Sequence, residues 1–262
     1  MEKEKQLPPE GVSEQKLAYL EMQAGVGITK HMGGPKATEE LIKLCHIDKG
    51  KYVLDVGCGT GRTACLLVKN YGCSVGGVDI TPGMVKWSKE RAKEEGVEDK
   101  VEFKVAGAQK LPFEDNVFDA VICESVLAFV EEKGKVISEF VRVTKPDGYV
   151  GMNETTWLKT PLPKEIVDYF SVTEENVEIL TPDAWKGLLE KVRLKEIIAR
   201  SYKTSARKDA VERMQLQGIR RTIRGFYLFF KNPVYRKFLK MTRNPPKNLY
   251  DYYGYGVYVG RK

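Results

Sequence analysis

Within ten residues, Val53-Leu54-Asp55-Val56-Gly57-Cys58-Gly59-Thr60-Gly61-Arg62 joins an apolar strand, a turn with three glycines and the start of a helix. Lys51 to Val56 has the apolar run of a short buried strand, with Asp55 near its end. Beyond Gly61, the residues Thr63, Ala64, Leu66, Leu67 and Val68 continue at helical spacing. Glycine in the turn permits positive φ and lets a ligand approach the backbone with no Cβ in the way. The helix start beyond it offers free N–H groups. The stretch therefore reads as a cradle for a nucleotide-like cofactor at the opening of an α/β unit.

Glycine spacing narrows the ligand. A dinucleotide fingerprint needs Gly-x-Gly-x-x-Gly, with its turn amides on a pyrophosphate; here the spacing is Gly-x-Gly-x-Gly. Asp55 stands two residues before Gly57, where a carboxylate repels a pyrophosphate and attracts an ammonium group. A Rossmann-type dehydrogenase is disfavoured on both counts. The second strand, Ser74 to Val78, ends at Asp79, eighteen residues past Gly61, where a carboxylate can accept hydrogen bonds from both hydroxyls of a ribose. Thr81 and Pro82 then cap and start a helix running to about Glu95.

On Gly57, Gly59, Gly61 and Asp79 the chain resembles the class I S-adenosylmethionine-dependent methyltransferases. That resemblance implies that the turn, with Asp55 and Cys58, wraps the methionine part of S-adenosylmethionine, and that Asp79 holds the ribose beside Ile80 and Met84. It extends over about a hundred residues. Val101 to Val105 reads as the third strand, and Ala106-Gly107-Ala108-Gln109-Lys110-Leu111-Pro112-Phe113 lies where the family has Gly-Asp-Ala before Leu-Pro-Phe. The family's adenine-facing aspartate is Gly107 here, which leaves Ala108 and Gln109 as the adenine contacts. The fourth strand enters through Asp115 to Cys123 and ends at Glu124-Ser125, bordering the cofactor and the methyl-transfer site in the family.

Composition fits one main intracellular unit. At 262 residues and 42% hydrophobic, the chain can bury a sizeable core. No run reaches the roughly 18 apolar residues of a membrane span, and Met1-Glu2-Lys3-Glu4-Lys5 has no signal-like segment. The five cysteines, Cys45, Cys58, Cys65, Cys73 and Cys123, form no Cys-x-x-Cys pair, so a reduced, cytoplasmic compartment and no metal site are expected.

After the fourth strand, Lys133 to Val143 is helical, Lys145-Pro146-Asp147-Gly148 is a turn and Tyr149 to Glu154 a fifth strand. A helix over Thr181 to Lys191, a sixth strand over Leu194 to Tyr202 and a last strand over Tyr252 to Gly260 complete the series. The expected fold is a Rossmann-like α/β sheet of seven strands, mostly parallel, its last strand antiparallel. The family places that strand at the sheet's end. Between Lys203 and Lys247 lie 13 lysines and arginines against Asp209 and Glu212, a local charge of +11, whereas the rest of the chain sums to −4. Ile219, Ile223, Phe226 and Phe230 share one helical face there, Arg220, Arg221 and Arg224 another, and a second short helix follows Pro233. Three readings stay open for this insertion: a packed lid, an anion-binding cover over a phosphate-bearing acceptor, and an interfacial helix on anionic lipid. Asn244-Pro245-Pro246 resembles the motif of amino-directed nucleic-acid methyltransferases but falls outside their slot after the fourth strand, so nucleic acid is disfavoured.

The N-terminal segment holds the remaining candidates. Ser13 to Ala24 is a helix, Gly25 to Gly34 a glycine-rich loop, and Pro35 starts another helix. This arrangement resembles the cap of small-molecule methyltransferases, loosely those acting on phosphoethanolamine, and implies cap contacts from Lys30, His31 and Gly33. Phosphoethanolamine enzymes carry a histidine after the fourth strand where this chain has Phe129. His31 is then the leading candidate base, with Tyr19, Glu124 and Glu154 behind it. The expected organisation is a cap over 1–48, a core over 49–203, a basic helical insertion between strands six and seven over 204–248, and a final strand over 249–262. The expected activity is methyl transfer from S-adenosylmethionine, yielding S-adenosylhomocysteine, to a small-molecule or lipid-like acceptor bound near Arg220, Arg221 and Arg224. A nucleic-acid methyltransferase and a non-catalytic S-adenosylmethionine-binding or membrane-surface protein are the alternatives.

Overall fold

The computed structural model describes residues 24, 31–173, 177–205, 207–208 and 245–262. Among these, seven strands form one sheet in the order β3-β2-β1-β4-β5-β7-β6. The strands are β1 (Tyr52–Val56), β2 (Ser74–Asp79), β3 (Val101–Val105), β4 (Phe118–Glu124), β5 (Thr144–Trp157), β6 (Lys195–Lys203) and β7 (Tyr253–Arg261). The helices are α1 (Gly34–Leu44), α2 (Arg62–Tyr71), α3 (Pro82–Glu95), α4 (Lys133–Val143), α5 (Lys164–Thr173), α6 (Pro182–Lys191) and α7 (Leu249–Tyr252), with a short 3-10 turn over Leu127–Phe129. β1 pairs in parallel with β2 on one side and β4 on the other. The chain order therefore reverses at β1, and the crevice at the carboxyl ends of β1 and β4 is where such sheets take ligands.

Both faces of the sheet are covered, as buried parallel strands require. Leu41, Ile42, Ala64, Leu67 and Val85 of α1, α2 and α3 pack with Val53, Ile122, Val257 and Val259 on one side. On the other, Ile137, Phe140, Trp185 and Leu189 of α4 and α6 pack with Leu54, Val121, Met152 and Tyr258. Gly72 and Gly96 end α2 and α3 in the left-handed conformation, and the Thr181 hydroxyl accepts from the Ala184 amide at 3.3 Å to cap α6.

Three expectations need correction. The last strand is antiparallel to both its neighbours, but it lies between β5 and β6 instead of at the sheet's end. Burial explains the exchange: Val257, Tyr258 and Val259 are all buried, which suits an interior strand, whereas β6 carries Lys195, Glu196, Arg200 and Lys203 on an exposed edge. The expected turn at Lys145 to Gly148 is a bulge within a longer β5, since Phe118 pairs with Thr144 and Ala120 with Tyr149. β5 also continues to Trp157 because β7 pairs with it along its length, ending at Trp157 opposite Tyr253. The third is α5, which follows Pro163 and was not anticipated; its Ile166 is fully buried. The first cap helix up to residue 23, Lys30 and nearly all of the basic insertion lie outside the described residues.

Gly151 of β5 sets how closely α1 approaches the sheet. A Cβ there would lie 2.4 Å from Cys45 Sγ and 2.7 Å from Leu41 Cδ1. Gly151→Ala is expected to destabilise the fold by about 1–3 kcal/mol, the range for overpacked cores, as a lowered midpoint in chemical denaturation. An unchanged midpoint would contradict this packing.

Candidate active site

Each glycine of the turn after β1 holds a positive φ: 73° at Gly57, 52° at Gly59 and 70° at Gly61. The turn is closed from within, with Gly57 and Cys58 donating to the Val78 carbonyl at 2.8 and 2.9 Å and Gly61 to the Cys58 carbonyl at 2.9 Å. A Cβ on Gly57 would meet Val126 Cγ2 at 2.2 Å, and one on Gly61 would meet Ser88 Cβ at 2.7 Å. Only glycine fits either place. Cys58 is a structural member of this turn, for its N–H and carbonyl are engaged and its buried Sγ would lie 3.2 Å from a Cβ at Gly77.

Three carboxylates end the strands around the turn. Asp55 is 3% exposed; it is hydrogen-bonded to the Ala64 amide in the first turn of α2, whose cap residue Gly61 has no side chain, while its Oδ2 has no partner. Burial pushes its carboxyl well above the usual range, and the charges of Glu124 and Asp79 add to that. Asp79 accepts from the Gly59 amide at 3.0 Å on Oδ2, and from the Thr81 amide at 2.9 Å and the Thr81 hydroxyl on Oδ1. Burial raises its carboxyl too, against those hydrogen bonds. Glu124 accepts from Thr38 and Thr63 hydroxyls, both at 2.9 Å, and from Asn153 Nδ2 at 3.3 Å. Among the described residues no lysine or arginine pairs with any of the three. Such a cluster suits a cationic ligand.

The cap meets the core at Glu124. His31 Nε2 lies 3.2 Å from the Thr38 hydroxyl and 3.9 Å from Glu124 Oε2, with its side chain 13% exposed. The next residue is fastened twice, its amide to Ser125 Oγ at 3.1 Å and its carbonyl to Asn153 Nδ2 at 2.7 Å. Gly33 holds φ 75°, and a Cβ there would meet the Tyr255 ring at 2.5 Å. His31, Gly33 and Glu124 are thus brought together at the carboxyl ends of β4 and β5. Around Asp79, Ile80 and the Ala108-Gln109 pair are half-buried at the β2 and β3 ends, while Met84 is buried beneath α3. Tyr19, Lys30, Arg220, Arg221 and Arg224 lie outside the described residues.

Glu154 is not a free acid. Its Oε1 accepts from the Val126 and Leu127 amides at 2.9 and 2.8 Å and its Oε2 from Ala128 at 3.4 Å, so it caps the 3-10 turn after β4. Asn153, Ser125, Thr38 and Thr63 were missed from the sequence. Asn153 was readable only as a polar residue inside a strand that should have been apolar.

A family model described as a methyltransferase domain matches residues 54–152. An uncharacterised protein of Haemophilus influenzae is 35% identical over 160 residues, 60% of this chain and 64% of that protein. Phosphoethanolamine N-methyltransferase 3 of Arabidopsis thaliana is 27% identical over 168 residues, 64% of this chain and 33% of the relative. Among solved structures, Haemonchus contortus phosphoethanolamine N-methyltransferase 2, in complex with phosphomonomethylethanolamine and S-adenosylhomocysteine, superposes with a TM-score of 0.74 at 18% identity, over 95% of this chain and 58% of that one; this likeness shows the fold. The chain spans less than two thirds of the length of these curated relatives. Residues 54–152 thus match a methyltransferase domain, in line with the resemblance to the class I S-adenosylmethionine-dependent methyltransferases.

The burial of Glu154 has a measurable consequence. Burial pushes its carboxyl up to about 7, outweighing the three amides and Lys133. The native state then keeps a proton that the unfolded chain loses near its ordinary pKa of 4.5, so this group's contribution falls as pH rises from about 4.5 to about 7. The stability of wild type relative to Glu154→Gln should therefore fall, by on the order of 1–3 kcal/mol, between pH 5 and pH 7 in urea denaturation. A constant or rising relative stability would contradict the assignment.

Proposed function

We propose that the chain transfers a methyl group from S-adenosylmethionine to a small-molecule or lipid-like acceptor at the carboxyl ends of β1, β2 and β4. The observation that carries this reading is the glycine-only turn lying against a buried Asp55 carboxylate with one unpartnered oxygen and no neutralising lysine or arginine among the described residues. The cofactor, when bound, supplies an electrophilic sulfonium methyl group. Gly57, Gly59 and Gly61 let its amino-acid part approach the backbone, and Asp55 offers a carboxylate to its ammonium. Asp79, oriented by Gly59 and Thr81 at the end of β2, is the carboxylate for a ribose hydroxyl. Ile80, Met84, Ala108 and Gln109 form the adenine side.

The protein's part in the chemistry is alignment and exclusion of water, which supplies much of the rate in such displacements. A proton must leave only when the acceptor arrives protonated. In this reading His31, whose Nε2 lies 3.9 Å from Glu124 Oε2, takes it. The cap, residues 1–48, and the basic insertion, residues 204–248, are the two covers in this reading; Lys30 belongs to the first. Arg220, Arg221 and Arg224 of the second are the contacts for an anionic group on the acceptor or for a lipid surface.

Isothermal titration tests the proposal. Wild type should bind S-adenosylmethionine, and Asp79→Ala should bind it at least 10-fold more weakly, the scale for a charged hydrogen bond, with folding checked by circular dichroism. No binding to wild type, or undiminished binding to a folded variant, would refute it.

A further inference from the structure

β5 outruns its parallel neighbour. β4 ends at Glu124 opposite Asn153, and β5 continues through Glu154, Thr155 and Thr156 to Trp157, with β7 on one side and Leu180 bridged to Thr156 on the other. Side chains alternate along this extension. Met152, Glu154 and Thr156 are buried toward Tyr258 and the turn after β4. Gly151 and Asn153 face α1 and the cap, where Gly151 lies against Leu41 and Cys45 and Asn153 donates to the Met32 carbonyl. Thr155 and Trp157 follow on that same face.

Two polar atoms on this face have no partner. Asn153 is fully buried, and its Oδ1 accepts no hydrogen bond; the Thr155 Oγ1 is also buried and unpartnered. Buried polar groups nearly always find partners, so a pair about 7 Å apart on one strand face points to something that completes them. The orientation of the Asn153 amide is forced: Nδ2 faces two acceptors, the Met32 carbonyl at 2.7 Å and Glu124 Oε2 at 3.3 Å, so Oδ1 is the atom left without a partner. That atom can only accept. Its partner must carry a hydrogen, and it would sit beside the Glu124 and His31 pair.

Further along the extension stands an aromatic group. The Trp157 ring lies 5.0 Å from Phe170 and 5.7 Å from Tyr253, and Phe170 lies 5.8 Å from Tyr253. All three are half-buried, so they present ring surface further along the strand face that carries the unpartnered atoms. A small ionised molecule has no use for such a wall; a ring or chain with one polar end has.

We propose that Asn153 and Thr155 dock the methyl acceptor by a hydroxyl or amine hydrogen, while its apolar body lies along Trp157, Phe170 and Tyr253. This rests on the methyltransferase reading and names the acceptor's chemistry: an alcohol or amine carried on an apolar, ring-like body. Asn153 Oδ1 accepts from the reacting group, Thr155 Oγ1 makes the second hydrogen bond, and the geometry leaves His31 beside the hydrogen to be removed.

The test uses the full chain saturated with S-adenosylhomocysteine, with tyramine as the ring-bearing probe and phosphoethanolamine as the small ionised one. Tyramine should quench tryptophan fluorescence and bind more tightly than phosphoethanolamine. Thr155→Val removes a hydroxyl that bonds to nothing in the protein, so its melting temperature should stay level or rise, while tyramine binds about 5–10-fold more weakly and S-adenosylhomocysteine binds as in wild type. Trp157→Leu should weaken tyramine and leave phosphoethanolamine unaffected. Tyramine failing to bind, phosphoethanolamine binding more tightly, or unchanged tyramine binding by Thr155→Val would overturn the proposal, the last by assigning those atoms to buried water. If wild type fails to bind S-adenosylmethionine or S-adenosylhomocysteine, the methyltransferase reading fails instead, and the two failures are distinguished.

Discussion

Three carboxylates close together at the ends of three adjacent parallel strands are costly to hold, and no lysine or arginine pairs with them among the described residues. Asp55, Asp79 and Glu124 close β1, β2 and β4, and each is tied down by neutral donors: the Ala64 amide, the Gly59 amide with Thr81, and the hydroxyls of Thr38 and Thr63. Neutral donors orient a carboxylate but do not cancel its charge. One oxygen of Asp55 lacks even that. The switch point thus gathers acids whose ionised forms burial disfavours and a cation beside them would favour.

The same acids connect the parts of the molecule that must act together. Glu124 receives Thr63 from the helix after the glycine turn, Thr38 from the first turns of α1, and Asn153 from β5. Asn153 and Ser125 in turn hold the backbone at Met32, next to His31. A ligand seated by the glycine turn is therefore one carboxylate away from the cap, and the cap one asparagine away from the β5 extension. The glycine turn's helix, the cap and β5 share a single hydrogen-bonded junction.

Much of this was legible from the residues, for reasons that differ by element. The glycine turn, Asp79, the helix start at Pro82 and the Thr181 cap are local signals, set by φ, by capping and by proline at the first helical position, and a short window contains them; Thr81 stands at the cap position of α3 but gives its hydroxyl to Asp79 instead. The order of β6 and β7 was not local. Both strands read alike in a window, and only the burial of Val257 to Val259 against the charge on β6 decides which lies inside. Glu154 shows the opposite failure: an acid at a strand end looks like a catalytic group, and it proves to be a cap for a turn 26 to 28 residues earlier. Asn153 and Thr155 have no sequence signature, because their meaning lies in which hydrogen bonds they lack.

The central claim is that the acid cluster awaits a cation, and proton linkage tests it most directly. Burial and its neighbours raise the Asp55 carboxyl, and a positive charge arriving beside it lowers it again, which couples cation binding to proton release. Calorimetric titration of S-adenosylmethionine at neutral pH, in buffers of differing ionisation enthalpy, should show net proton release that Asp55→Asn abolishes, and less release with the uncharged sulfur of S-adenosylhomocysteine. Binding with no proton exchange, identical for the two ligands and for Asp55→Asn, would contradict it.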